Sequence, residues 1–153
     1  MRYRAKNKRG GASVVEFALV APIFFLLLFG IIEYCRLMFT WQLLNNAARE
    51  GARYAVVSTA TLTTANIQTY VNNYLAGQGA SQLVGYNPST NITVFLADPV
   101  TGAPISTPWN NAGWGNYIGV RVSGTYRPLT SNLLFMSSSF TLTGTCVMTA
   151  EVN

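Results

Sequence analysis

With 153 residues the chain has room for one modest domain and one long helix, and only 10% of it is charged, against roughly 25% in an average soluble protein. The net charge of +5 sits in a basic tip of Arg2, Arg4, Lys6, Lys8 and Arg9, and beyond it arginines and carboxylates balance. A folded body without clustered cations speaks against a nucleic-acid partner, and a chain with no histidine, two distant cysteines and no lysine past the tip supplies neither a metal site nor a base for a serine nucleophile, so no enzyme activity, metal or cofactor is expected.

After the tip, Phe17 to Ile32 is an uncharged, mostly apolar run. As a helix it falls slightly short of the roughly 30 Å hydrocarbon core, and Leu37, Met38, Phe39 and Trp41 extend it, giving a span over about 17–40. Glu33 and Arg36, three residues apart, can pair on one helix face near the interface, where Tyr34 and Trp41 suit the aromatic belt. The positive tip should stay cytoplasmic, which sends everything after about residue 40 across the membrane. Glu33-Tyr-Cys-Arg36 offers no small-x-small cleavage site and is a poor lipoprotein site, so the helix is expected to stay attached. Pro22 should kink it or free the carbonyl of Ala18.

Glu16 stands at the start of the apolar run, where an unpaired carboxylate is costly to bury. It either marks the headgroup level or has a partner. Its surroundings, Gly10-Gly-Ala-Ser-Val-Val-Glu16-Phe-Ala-Leu, place a glycine after the basic tip and a glutamate five residues past Gly11. This pattern resembles the prepilin-type leaders of type IV pilins and pseudopilins, cut by a prepilin peptidase after a glycine and keeping a glutamate at the fifth mature position. The resemblance implies a leader over residues 1–11, cleavage after Gly11, a new terminus at Ala12 and Glu16 as the fifth residue. Phe17 departs from the tyrosine often found in Flp-type pilins, and cutting after Gly10 instead would put Val15 fifth. A free ammonium at Ala12 would give Glu16 of an adjacent subunit a counter-charge, and paired charges are tolerable in a bundle where lone ones are not.

The apolar stripe continues through Leu37, Trp41, Leu44, Ala48, Ala52 and Ala55, with Gln42, Asn45, Asn46, Arg49, Glu50 and Arg53 on much of the remaining surface. One helix from about Ser13 to Val57 follows. Its Asn46-Ala-Ala-Arg-Glu-Gly-Ala-Arg-Tyr-Ala55 stretch is similar to the signature of TadE-like proteins, minor pilin-like components of the tight-adherence (Flp pilus) system, and the likeness extends over Arg9 to Val57. Ala47, Ala48, Gly51 and Ala52 make a slim face for close backbone approach, either between subunits or against the chain's own sheet. Glu50 can pair with Arg53.

Residues 58–153 read as an exported domain. Ser58 to Thr64 breaks the helix, a second helix runs over about 65–76, and Gly77, Gly79, Gly85 and Pro88 mark irregular chain. Strands are predicted over 91–97, 117–126 and 138–152, with an Asp98 to Gly102 turn and a short return edge over Ala103 to Ser106. Ile118, Val120 and Val122 share one face, as do Phe140, Leu142, Cys146 and Met148. The fold class is α+β: a long pilin-like helix packed on a small antiparallel sheet of three or four strands. Trp109 and Trp114 lie in an uncharged loop and either contact a protein or glycan or cover the sheet edge. Leu133-Leu-Phe-Met136 is a further apolar patch, and a Cys35–Cys146 disulfide requires the last strand to reach the membrane-proximal helix.

The resemblance implies a structural subunit that helps initiate, cap or regulate a tight-adherence pilus or related secretion apparatus. It would be single-pass in the bacterial inner membrane, with other pilin-like subunits, the assembly platform and the prepilin peptidase as partners. The alternative is a signal-anchored protein whose exported domain binds a ligand through the Trp109/Trp114 loop.

Overall fold

A computed structural model describes residues 10–57, 59, 61–78, 80–131 and 136–151. The basic tip, most of the Leu133 to Met136 patch and the Val152 end of the last predicted strand lie outside the described residues.

Helix α1 runs unbroken over Gly10–Val57, 48 residues, or about 72 Å at 1.5 Å per residue. It continues through Gly11, Ala12 and Pro22. In its second half Leu43, Leu44, Ala47, Ala48, Ala52, Ala55 and Val56 are buried, recurring at three- and four-residue steps along one face. Helix α2, Thr64–Gly77, opens on a reciprocal cap in which Thr63 accepts from the Asn66 amide and the Asn66 side chain accepts from the Thr63 amide. Its Ile67, Val71 and Leu75 are buried at four-residue spacing.

The stretch between α2 and the first long strand, expected to be irregular, holds a two-residue strand β1, Leu83–Val84, and a one-turn helix α3, Pro88–Asn91. Its glycine and proline content hid both, because two strand residues carry no alternation to read. Asn87 caps α3 and Pro88 opens it. Strands β2, Ile92–Ala97, β3, Tyr117–Tyr126, and β4, Phe140–Thr149, follow. All pairings are antiparallel, with β3 central: β4 lies along its full length on one side, and β2 and β1 share the other. After β2, Asp98 Oδ1 accepts from the Val100 and Thr101 amides at 3.0 and 2.7 Å, closing a turn. The expected return edge is a single bridge between Ala97 and Pro104.

The period-two pattern places Ile118, Val120, Val122 and Tyr126 under α1, all fully buried. Strand β4 runs alongside the helix. Its start pairs with Tyr126, which reaches Glu33, and just past its end the Glu151 amide donates to the Val56 carbonyl at 3.2 Å. Helix from 33 to 56 and strand from 140 to 151 both cover roughly 35 Å, so the lengths match. Midway, a Cβ on Gly144 would meet the Leu44 carbonyl carbon and oxygen at 2.5 Å. The absence of a side chain there lets strand and helix backbones touch.

Candidate functional site

From Gly11 to Ile32 the residues of α1 are exposed, with only Ala21 and Gly30 half-buried. That is about 33 Å of helix axis, close to the roughly 30 Å hydrocarbon core. The helix is long and apolar enough to cross a membrane, and its most apolar window is entirely unburied. The core helix of a soluble protein would be covered, so the protein offers this surface to something other than itself. Val14, Phe17, Ile23, Phe24 and Leu27 are among the exposed side chains. Gly11, Ala12 and Glu16 all lie on this bare portion, and apart from its chain neighbours and the helix's own backbone no heavy atom of the described residues comes within 4 Å of where a Gly11 Cβ would be.

The sheet domain engages the helix from Glu33 onward. Glu33 is 2% exposed and is the one buried carboxylate among the described residues. The Tyr126 hydroxyl donates to its Oε1. The Leu129 amide and the Thr130 hydroxyl both donate to Oε2 at 3.2 Å, and Arg36 Nη1 donates to Oε1 at 3.2 Å. The expected Glu33–Arg36 pair is therefore present, inside a larger knot that ties the chain following β3 to the helix. One turn on, Thr40 is buried and its hydroxyl reaches Gln82 at 3.0 Å. Burial raises the Tyr126 hydroxyl, with its hydrogen bond to Glu33 adding, to a pKa of about 12. Leu37 and Met38, expected to lengthen the membrane span, are half-buried at this level.

The small-residue face is occupied within the chain. Ala47, Ala48 and Ala52 are fully buried, and a Cβ on Gly51 would meet Val71 Cγ2 at 2.5 Å and Val120 Cγ1 at 3.1 Å. Of the two uses open to Ala48, Gly51 and Ala52, packing against the protein's own sheet and second helix is the one taken. Within the chain, that face is covered by the protein's own sheet and second helix. Glu50 and Arg53 pair at 3.6 Å on the exposed side of the same turn.

Residues 11–53 match the family model of TadE-like protein. The TadE-like segment thus begins at the glycine expected to precede the cut, takes in Glu16, the bare apolar stretch and Glu33, and ends on Arg53 of the Ala-Ala-Arg-Glu-Gly-Ala-Arg signature. No curated protein and no solved structure matches the chain.

Beyond the TadE-like segment, the two loop tryptophans separate. Trp109 is 6% exposed in a short 3-10 turn, with its indole N–H donating to Thr64 Oγ1 at 2.9 Å, whereas Trp114 is 80% exposed. Trp109 belongs to the core and is not a contact residue; a three-residue turn folds it back over the start of α2. Cys35 and Cys146 are free thiols, the first exposed and the second half-buried. Cys146 lies near Arg49, whose charge opposes the upward push of burial on the thiol. Arg49 is about 21 Å along the helix from Cys35, far beyond the roughly 7 Å limit for a bridge.

Sequence reasoning missed the partners of Glu33. The available signal was the carboxylate itself, since an ionisable residue beside an apolar helix needs a partner. Nothing in local periodicity pointed to Tyr126, 93 residues away.

Proposed function

We propose that this protein is a non-enzymatic, membrane-anchored structural subunit, a TadE-like minor pilin of a tight-adherence pilus or related secretion apparatus. The observation that carries the reading is the union of two surfaces on one helix. A bare apolar stretch, Gly11 to Ile32, and the helix half packed on a small sheet both lie within the TadE-like match over residues 11–53. The tip stays cytoplasmic, the sheet domain lies outside, and a prepilin peptidase cuts after Gly11. Cleavage removes all five tip cations and leaves Ala12 with an ammonium. That charge pairs with Glu16 of a neighbouring subunit as the apolar helices gather in the pilus or its platform. Because α1 passes through Gly11 unbroken, the peptidase must engage a segment that frays or is displaced from helix. Glycines at the N-terminal end lower the barrier to this.

Intact-mass and N-terminal analysis of the protein extracted from cells with an active apparatus tests the reading. A mature terminus at Ala12 supports it, and recovery of an intact Met1 terminus overturns it. The alternative, an anchored ligand-binding domain, has support in exposed Trp114 alone, since Trp109 is in the core.

A further inference from the structure

Where the sheet domain meets the bare helix, an open cleft of about 500 Å³ is lined by Arg36, Ser81, Gln82, Arg127, Leu129 and Ser131 among others. Arg36 is held in place. One of its nitrogens bonds Glu33 at 3.2 Å and its guanidinium lies 5.7 Å from the centre of the Tyr126 ring. The Glu33 carboxylate is committed to Tyr126, Leu129, Thr130 and Arg36. Arg127 is exposed and makes no ion pair among the described residues. Two guanidinium groups therefore face one cleft with a single, already occupied carboxylate beside them.

The height of the cleft gives it meaning. Arg36 is four residues past Ile32, about 6 Å along the helix axis from the end of the bare stretch, which is the depth of the polar headgroup layer on a roughly 30 Å hydrocarbon core. On the cleft wall Leu129 is 78% exposed and Val84 is 51% exposed. A site with two guanidinium groups, hydroxyl and amide donors, and an apolar wall suits an anion that carries its own hydrocarbon. Guanidinium pairs phosphate through parallel N–H donors.

We propose that this cleft binds the phosphate-bearing headgroup of an anionic phospholipid in the leaflet beneath the sheet domain, seating the domain on the membrane surface. The proposal rests on the membrane-anchored reading above. The lipid phosphate lies between Arg36 and Arg127, Ser81 and Ser131 bind headgroup oxygens, and Leu129 and Val84 contact the start of the acyl chains. A soluble phosphate would leave that apolar wall unused.

The test uses the full chain purified in non-ionic detergent. Native mass spectrometry counts the lipid retained from equal amounts of phosphatidylglycerol and phosphatidylcholine. The wild type should retain the anionic lipid about fivefold better for the one unpaired arginine. Arg127→Gln should reduce the preference to parity, while Arg53→Gln, at the far end of the helix, should leave it intact. Arg127 is exposed and outside the Glu33 knot, so its loss does not disturb the fold. Equal retention of both lipids by the wild type overturns the proposal, as does displacement of phosphatidylglycerol by inorganic phosphate at matched concentration, which would make this a soluble-anion site. Carbonate extraction of cell membranes isolates the reading beneath it. Release of the chain into the soluble fraction overturns the membrane anchor and the lipid site together, whereas retention with no lipid preference overturns the lipid site alone.

Discussion

The Tyr126 hydroxyl donates to the Glu33 carboxylate, joining the last residue of the central strand to the helix at the point where its bare apolar stretch ends. Both side chains are buried. This bond, with those from Leu129 and Thr130, fixes how the sheet domain stands over the exposed helix.

Removing the carboxylate should loosen that junction. Glu33→Ala leaves the Tyr126 hydroxyl, the Leu129 amide and the Arg36 guanidinium without their acceptor, and a broken buried pair typically costs about 3–5 kcal/mol. Glu33→Gln keeps one acceptor oxygen and should cost less. Limited proteolysis of detergent-solubilised protein should show faster cleavage around Arg127, most so for Glu33→Ala. Equal cleavage rates in all three proteins would mean that the knot contributes nothing to docking.

Burial of Tyr126, with the bond to Glu33 adding, gives the protein an alkaline limit. Tyr126 ionises near 10 when unfolded and at about 12 when folded, so between these values the folded state holds a proton that the unfolded state has lost. Stability is therefore intact below pH 10 and falls as pH rises toward 12, by on the order of 2 kcal/mol. Tyr86, whose buried hydroxyl has no hydrogen-bond partner among the described residues and is also raised to about 12 by burial, acts in the same direction. Thermal melts from pH 9 to 12 should show a shallower decline for Tyr126→Phe than for wild type. Parallel curves would separate the alkaline transition from this residue.

Gly144 and Gly11 should respond oppositely to a side chain. Gly144→Ala drives a Cβ into the Leu44 backbone, which cannot turn aside as a side chain can, and should cost about 1–3 kcal/mol. Gly11→Val adds its side chain to open surroundings. It should leave the melting temperature unchanged while blocking maturation. A Gly11→Val protein that is both unprocessed and destabilised would leave the two effects inseparable and count against the assigned cut.

The tryptophans provide a further contrast. Trp109→Ala empties a core position and breaks the bond to Thr64, at a cost of about 3–5 kcal/mol. Trp114→Ala should stay within about 0.5 kcal/mol of wild type. In unfolding titrations, similar losses for both would show that Trp114 is covered in solution.

Glu16→Gln keeps the shape of the side chain and deletes its charge. Under the proposed function, processing at Gly11 should continue while co-purification of the processed protein with the pilus machinery should fall, because losing one partner of the proposed Glu16–Ala12 pair, once desolvated between subunits, would cost about 3–5 kcal/mol. Membrane insertion should be unchanged or slightly easier. Equal co-purification with normal pili would reduce Glu16 to a headgroup-level residue.

Much of the architecture is local in origin and therefore legible in the sequence. The three- and four-residue apolar steps of α1 and the alternation of β3 and β4 are properties of neighbouring residues, and they also assign the buried faces of both strands. The TadE-like signature lies wholly within one helix, where spacing along the chain is spacing in space. The short β1 and α3 escaped because two strand residues or one helical turn hold too little periodicity. Whether Ala48, Gly51 and Ala52 meet a neighbour or their own sheet, which tryptophan is buried, and what satisfies Glu33 were beyond local pattern. Each depends on a partner tens of residues away, brought in when the sheet closes over the helix. Only the tertiary structure decides these pairings, because close approach and the desolvation of a carboxylate are set by which surfaces meet, and an isolated segment does not encode that meeting.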